Sequence, residues 1–139
     1  MSDAKKEIVE KVKQWIEIAE EDLRLAKFAF EMSSNIPYRL IAYHAQQAAE
    51  KYIKALLVFC EIDFPYTHSI EKLLSLAPKE HGLANSLSDA GDLTDYAVGK
   101  RYPDFYEKLD KSEAEKAVEL AENVKKKIRD LLNSSGLVL

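Results

Sequence analysis

The feature that most constrains the fold is an unbroken helical pattern over residues 38–59, which contains neither Gly nor Pro. Its apolar residues recur at steps of three and four, so that at about 100° per residue they fall on one stripe. These residues are Ile41, Ala45, Ala48, Ala49, Tyr52, Ala55 and Leu56. Small side chains on such a stripe let another helix approach closely. The segment therefore predicts a long helix in a tightly packed bundle.

A second face of the same helix carries a polar row, which consists of His44, Gln47, Lys51 and Lys54. Lysine supplies a positive charge, and glutamine supplies both a donor and an acceptor, so the row could bind an anion or the edge of a nucleobase. Residue type alone favours the simpler interpretation, a solvated surface. Both interpretations stay open at this point.

Two further segments have long helical patterns. Residues 3–32 keep an apolar stripe, with a mixed-charge outer face, including Glu20, that is expected to be solvated. Residues 33–37 break this pattern, and Pro37 suits the first turn of the next helix. A last helix is predicted to open with a capping box formed by Ser112 and Glu115. The first two helices are expected to pack antiparallel.

The middle of the chain has weaker signals. Thr67, His68 and Ser69 can each cap a short third helix that Pro78 stops. One or two poorly defined helical segments are predicted over residues 80–98. The fold class that follows is all-α, a single domain over residues 1–133 with a frayed tail at 134–139.

Composition excludes several classes of protein. The net charge of −4 gives no global basic surface, and the sequence has no DNA-binding signal. The single cysteine, Cys60, excludes an internal disulfide, and no Cys/His spacing indicates a metal site. No apolar run approaches the ~20 residues of a membrane span. A cytoplasmic protein that needs no cofactor is therefore expected.

Two other places could contribute to a site. His68 is interpreted first as a capping or packing residue, and second as a group that faces the same pocket as His44. Arg101 is a permanently charged fork beside Tyr102, in a turn fixed by Pro103. Such an arrangement can bind phosphate or stack a base, or it can fasten a loop to a helix.

Three stretches together resemble the HEPN family of helical domains. They are AYHAQQAAEKYIKALL at residues 42–57, THSIEKLL at 67–74 and RYPD at 101–104. The resemblance covers most of residues 10–130 and implies an up-and-down bundle of four to five helices that commonly dimerises. It also implies a minimal nucleotidyltransferase as a frequent partner, in pairs that look like toxin and antitoxin, with the HEPN member acting as a metal-independent RNase.

The RNase members of that family have an Arg followed four to six residues later by a His. Here the interval from Arg39 to His44 fits, but it lies early on the second helix rather than late in the domain. Five helical residues rotate a side chain by about 140°, so the pair diverges unless Arg39 precedes the helix or a second copy completes the site. Gln46 stands where some members carry a tyrosine that accepts a nucleotide.

Three hypotheses follow, in this order. The first is a module that binds a nucleotide or a nucleotidyltransferase partner through His44, Gln47, Lys51 and Lys54, with help from His68, Arg101 and Tyr102. The second is a metal-independent RNase toxin that uses Arg39 and His44 on the ribose 2′-hydroxyl and the phosphate. The third is a purely structural homodimer, in which the same polar residues set the register of the interface.

Overall fold

The computed structural model describes residues 2–97, 109–137 and 139, and over these ranges the chain forms six α-helices and no strand. The helices are α1 (Asp3–Ala29), α2 (Tyr38–Phe59), α3 (Ile70–Leu76), α4 (Leu83–Ser86), α5 (Thr94–Ala97) and α6 (Lys111–Ser134). Two 3-10 segments, Lys79–His81 and Ser88–Leu93, lie between the short helices. The all-α bundle expected from the sequence is confirmed.

Contacts between side chains give the directions of the three long helices. Phe30, just past the end of α1, packs on Tyr38 at the start of α2, and Trp15 lies near Lys54 toward the end of α2, so these helices are antiparallel. Lys27 of α1 binds Glu122 of α6, whereas Glu20 binds Arg129. Helix α6 therefore runs antiparallel to α1 and parallel to α2. The short helices α3, α4 and α5 lie between α2 and α6 in the chain.

Helix α2 is the centre of the bundle. All seven residues of its predicted apolar stripe are buried, and twelve of its 22 residues are buried in total. Two of the twelve are polar, Gln46 and Glu50, and no other polar or charged residue in the described ranges is buried to that degree. Buried polar groups need hydrogen-bond partners, so specific polar contacts are expected around these two residues.

The structure shows which residues cap α3 and α6. Ser69 caps α3 through a hydrogen bond that its hydroxyl accepts from the amide of Lys72. The capping box predicted for α6 is wrong, because Asp110 is the capping residue and accepts from the amide of Glu113. Ser112 consequently lies inside the first turn.

Leu137, near the end of the described chain, packs on the bundle. Helix α6 continues to Ser134, and Leu137 is buried in the main core cluster. Its amide donates to the carbonyl of Leu132 after Gly136, whose φ of +92° suits only glycine well. In the described part of the chain, no helix combines the length and the apolar character that crossing a bilayer would demand.

Candidate functional site

The polar row of α2 is divided between two carboxylates, and each forms a separate cluster. The Asp22 cluster consists of Asp22, His44 and Lys51. The Glu50 cluster consists of Gln46, Gln47, Glu50, Lys54 and His68. His44 and His68 therefore bind different carboxylates rather than one common partner.

The Asp22 cluster joins α1 to α2. One carboxylate oxygen of Asp22 lies 2.9 Å from Nδ1 of His44, and the other accepts a hydrogen bond from the ammonium group of Lys51. Two turns of α2 separate the imidazole from the ammonium group, and the single carboxylate brings them together. The His44 side chain is 28% exposed, so solvent or a ligand can reach the imidazole.

The Glu50 cluster is deeper and joins α2 to the loop before α3. Oε1 of Glu50 accepts from Lys54 at 2.7 Å, and Oε2 accepts from Gln46 at 2.8 Å. Nδ1 of His68 lies 3.1 Å from the same Oε2 atom. Gln47 then donates to the side-chain oxygen of Gln46 at 2.6 Å. Every polar side chain in this cluster thus has a partner within the protein.

Aromatic rings enclose the ammonium group of Lys54. Its Nζ atom lies 5.6 Å from the centre of the Trp15 ring and 5.6 Å from that of Phe64. The two rings meet edge to face at 6.4 Å. A cation over aromatic faces is stabilised electrostatically, and more so when it is shielded from water. Lys54 is 12% exposed at its side chain and is therefore a structural cation rather than a free surface charge.

Both carboxylates are held in their ionised form. Burial by itself would raise the pKa of Asp22, but hydrogen bonds from His44 and Lys51, with the positive charge of Lys51, hold that pKa below its usual value. Burial opposes ionisation of Glu50 in the same way, and hydrogen bonds from Lys54, Gln46 and His68 again lower its pKa. An ionised carboxylate only accepts hydrogen bonds, so it fixes the donor nitrogen of its histidine.

The pairing of Arg39 with His44 stays a prediction. Arg39 lies in the first turn of α2 rather than before the helix, so the rotation of about 140° applies to the pair. Arg39 and His44 line two neighbouring surface cavities, and Pro37 and Leu40 line both of them. Arg101 and Tyr102 lie outside the described residues. The proximity of Arg101 to the polar row stays a prediction.

Comparison with known proteins decides the family. The HEPN domain family matches residues 12–131, which is most of the chain. The chain belongs to the HEPN domain family. It is 32% identical over 145 residues to a protein of Methanocaldococcus jannaschii named "Putative toxin MJ1304", covering 86% of this chain and 87% of that protein.

A solved structure supports the same assignment of this HEPN domain. The crystal structure of TT1696 from Thermus thermophilus superposes with a TM-score of 0.75 at 28% sequence identity. The match covers 86% of this chain and 97% of that one. The family resemblance carried by residues 42–57 and 67–74 is confirmed, and apart from Asp22 every residue of the two clusters lies in these two stretches.

An apolar patch adjoins the Asp22 cluster of the HEPN domain. Leu25, Met32 and Leu40 are 53%, 48% and 45% exposed, although all three are large hydrophobic residues. They surround a cavity of about 180 Å³ whose wall includes His44. The imidazole thus lies where a charged cluster meets exposed apolar surface.

A third charged group joins α1 to α6, and it corrects the expectation that Glu20 is merely solvated. The Glu20 carboxylate accepts from Lys125 at 3.0 Å and from Arg129 at 2.8 Å. Burial opposes its ionisation, but these partners hold the pKa of Glu20 below its usual value. Beneath it lies the fully buried Tyr52, whose hydroxyl interacts with the Glu20 carboxylate but forms no hydrogen bond of ordinary geometry with any described residue. Burial and the nearby Glu20 charge raise the pKa of Tyr52 far above its ordinary range.

Sequence reasoning missed the two carboxylates that organise the clusters. Glu50 and Lys54 are four residues apart on one helix, which is a readable ion-pair spacing. Asp22 had a weaker signal, because it directly precedes the buried Leu23 at the edge of the α1 stripe. Its pairing with α2 depends on how two helices are packed, which no local pattern reports. In residues 2–97 and 109–137, no group of His, Cys, Asp and Glu side chains is arranged to hold a metal ion.

Proposed function

We propose that this HEPN domain is the toxin-type member of a toxin and antitoxin pair and that it cleaves RNA without a metal ion, with the Asp22 cluster as its centre. The similarity to a protein named as a toxin supports the first part. The observation that carries the second part is that His44 and Lys51 share the two oxygens of Asp22. A base and a cation side by side are what phosphodiester cleavage by a ribose hydroxyl needs.

The roles follow from the geometry. Ionised Asp22 accepts from Nδ1 of His44, so Nε2 is the nitrogen that takes the proton of the ribose 2′-hydroxyl. Lys51 supplies positive charge toward the developing charge on the phosphorane. Asp22 is the positioning residue, because it holds the imidazole and the ammonium group without touching the reacting atoms.

Nucleotide binding by the whole polar row has less support from the geometry. Both lysines of the row are already bound to carboxylates, Lys51 to Asp22 and Lys54 to Glu50. Lys54 is in addition enclosed by the rings of Trp15 and Phe64, so a nucleotide phosphate would meet the ammonium group of Lys51 more readily than that of Lys54. Binding would raise the melting temperature by mass action, and replacing both lysines with alanine would abolish that rise.

The apolar patch supports self-association as part of the same proposal. Leu25, Met32 and Leu40 lie next to His44, so a second copy seated on the patch would cover an exposed apolar surface and enclose the imidazole. Exclusion of water there would strengthen the electrostatic contacts of the site. A minimal nucleotidyltransferase partner is proposed as the antitoxin, and it would bind the dimer.

The test compares His44→Ala with His81→Ala, the same substitution at a histidine that belongs to neither cluster. Purified protein is incubated with single-stranded RNA in EDTA, and host growth is followed after induction. We expect cleavage and growth arrest for the unmodified protein and for His81→Ala, and loss of both for His44→Ala, by at least about a hundredfold in rate. Equal cleavage by both variants, or no cleavage by the unmodified protein, would refute the proposal.

A further inference from the structure

His68 is a second histidine with a carboxylate partner, and it faces the hydroxyl of a tyrosine of this chain. His68 lies between the buried carboxylate of Glu50 and the hydroxyl of Tyr66. Its Nδ1 atom is 3.1 Å from Glu50 Oε2, and its Nε2 atom is 3.5 Å from Tyr66 Oη. Tyr66 is 93% exposed, so its hydroxyl is open to a ligand.

The hydrogen-bond inventory fixes which nitrogen of His68 carries the proton. Glu50 Oε2 already accepts from Gln46, and Oε1 accepts from Lys54, which keeps this carboxylate ionised. An ionised carboxylate has no proton to give, so Nδ1 of neutral His68 must be the donor to it. Nε2 is then unprotonated and faces the tyrosine hydroxyl as an acceptor.

This order of groups, a buried carboxylate, an imidazole and an exposed hydroxyl, is the arrangement that activates a nucleophile for covalent chemistry. The distance of 3.5 Å between Nε2 and Oη is long for a hydrogen bond. Such contacts are often looser when no substrate is bound and shorten in the reacting complex. The two rings meet edge to face with centres 5.5 Å apart, which keeps the phenol beside the imidazole.

We propose that Tyr66 is a nucleophile that accepts an activated acyl group, with His68 as its general base and Glu50 as the positioning residue. Tyr66 Oη forms a bond to the acyl carbon, the bond from that carbon to the leaving group breaks, and the phenolic proton moves to His68 Nε2 and then to water. The product is an acyl ester of the tyrosine, and no oxidant, reductant or metal is required.

The surroundings favour an acyl donor over a phosphoryl donor. The one lysine of the Glu50 cluster, Lys54, is bound to the carboxylate and enclosed by the rings of Trp15 and Phe64. Among the described residues of the cluster, no further lysine or arginine is left to neutralise the oxygens of a phosphoryl group. The site therefore suits an acyl group, whose reacting carbon carries no anionic oxygens that need a cation.

The experiment uses p-nitrophenyl acetate on the intact protein at neutral pH, with acetylated residues located by peptide mass spectrometry. We expect Tyr66 to be acetylated at least about tenfold faster than N-acetyltyrosinamide under the same conditions. His68→Ala should remove that excess, whereas His81→Ala should keep it. Tyr66→Phe identifies the peptide that carries the label.

The pH profile separates a base from a residue that only orders the loop. With His68 present, the acetylation rate of Tyr66 should depend only weakly on hydroxide concentration around neutral pH, because a base other than hydroxide takes the phenolic proton. In His68→Ala the rate should instead rise steadily with hydroxide concentration. Acetylation of Tyr66 no faster than that of the free tyrosine derivative, or equal rates and profiles in His68→Ala, would overturn the proposal. Because His44 takes no part, this result is independent of the RNA cleavage test.

Discussion

Nδ1 of His68 lies 3.1 Å from Oε2 of Glu50, so the loop before α3 is fastened to the middle of the central helix by a carboxylate that is almost fully buried. The same carboxylate holds Lys54 and Gln46. One side chain thus fixes the position of the crossover loop relative to α2. The Asp22 cluster does the same for α1.

Removal of the Glu50 carboxylate should destabilise the fold. Glu50→Ala leaves Lys54 buried without its acceptor and His68 without its partner, which should lower the free energy of unfolding by about 2–4 kcal/mol. Urea unfolding followed by circular dichroism measures this change. Glu119→Ala is the matched control, because its ion pair with Lys116 is exposed and should contribute less than about 0.5 kcal/mol. An equal loss of unfolding free energy in the two variants would show that the buried ion pair stabilises the fold no more than the exposed one.

Stability should fall on acidification. Asp22, Glu50 and Glu20 have folded-state pKa values below their ordinary values of 3.8, 4.5 and 4.5. The folded state therefore binds fewer protons than the unfolded state, so these groups stabilise the fold above pH ~4.5 and lose that contribution as pH falls through their folded pKa values. Melting temperatures measured from pH 7 down to pH 3 should drop most steeply below pH ~4.5. Glu50→Gln should make the melting temperature less dependent on pH below ~4.5. An unchanged dependence would show that Glu50 does not contribute to it.

The hydroxyl of Tyr52 should be dispensable. It is buried and forms no hydrogen bond of ordinary geometry with any described residue, so Tyr52→Phe removes a polar group that gains little from folding. The expected change in the free energy of unfolding is between zero and about 1 kcal/mol in the stabilising direction. Tyr52→Ala, which removes the ring, should instead cost about 3–5 kcal/mol. A loss above about 1.5 kcal/mol for Tyr52→Phe would mean that Glu20 accepts its proton.

Self-association should depend on the patch beside His44. Leu40→Glu places a charge within the exposed apolar patch and should shift sedimentation toward the monomer. Phe28→Glu is the control, because Phe28 is 68% exposed but lines a cavity with Glu20 and Lys125 between α1 and α6. Identical sedimentation of the two variants would show that the patch beside His44 is not an interface between copies.

The sequence alone predicted the long helices and the resemblance to the HEPN family. Residues 38–59 were predicted as a helix and form α2 over the same range, because an unbroken stripe of apolar residues can be buried only in that conformation. Signals near the ends of helices were less reliable. Ser112 and Glu115 fit a capping box, but Asp110 was close enough to cap the helix earlier.

Only the tertiary structure decided what the polar row of α2 does. Local spacing placed His44, Gln47, Lys51 and Lys54 on one face, and it could not show that Asp22 comes from another helix to bind two of them. Glu50 directly precedes Lys51 in the sequence and therefore lies to one side of that face. The sequence did not reveal its role for a different reason. Its partner His68 is 18 residues away in sequence, and only the path of the crossover brings them together. Periodicity reports which side of a helix is buried, but the partner of a buried charge depends on contacts between segments that are distant in the chain.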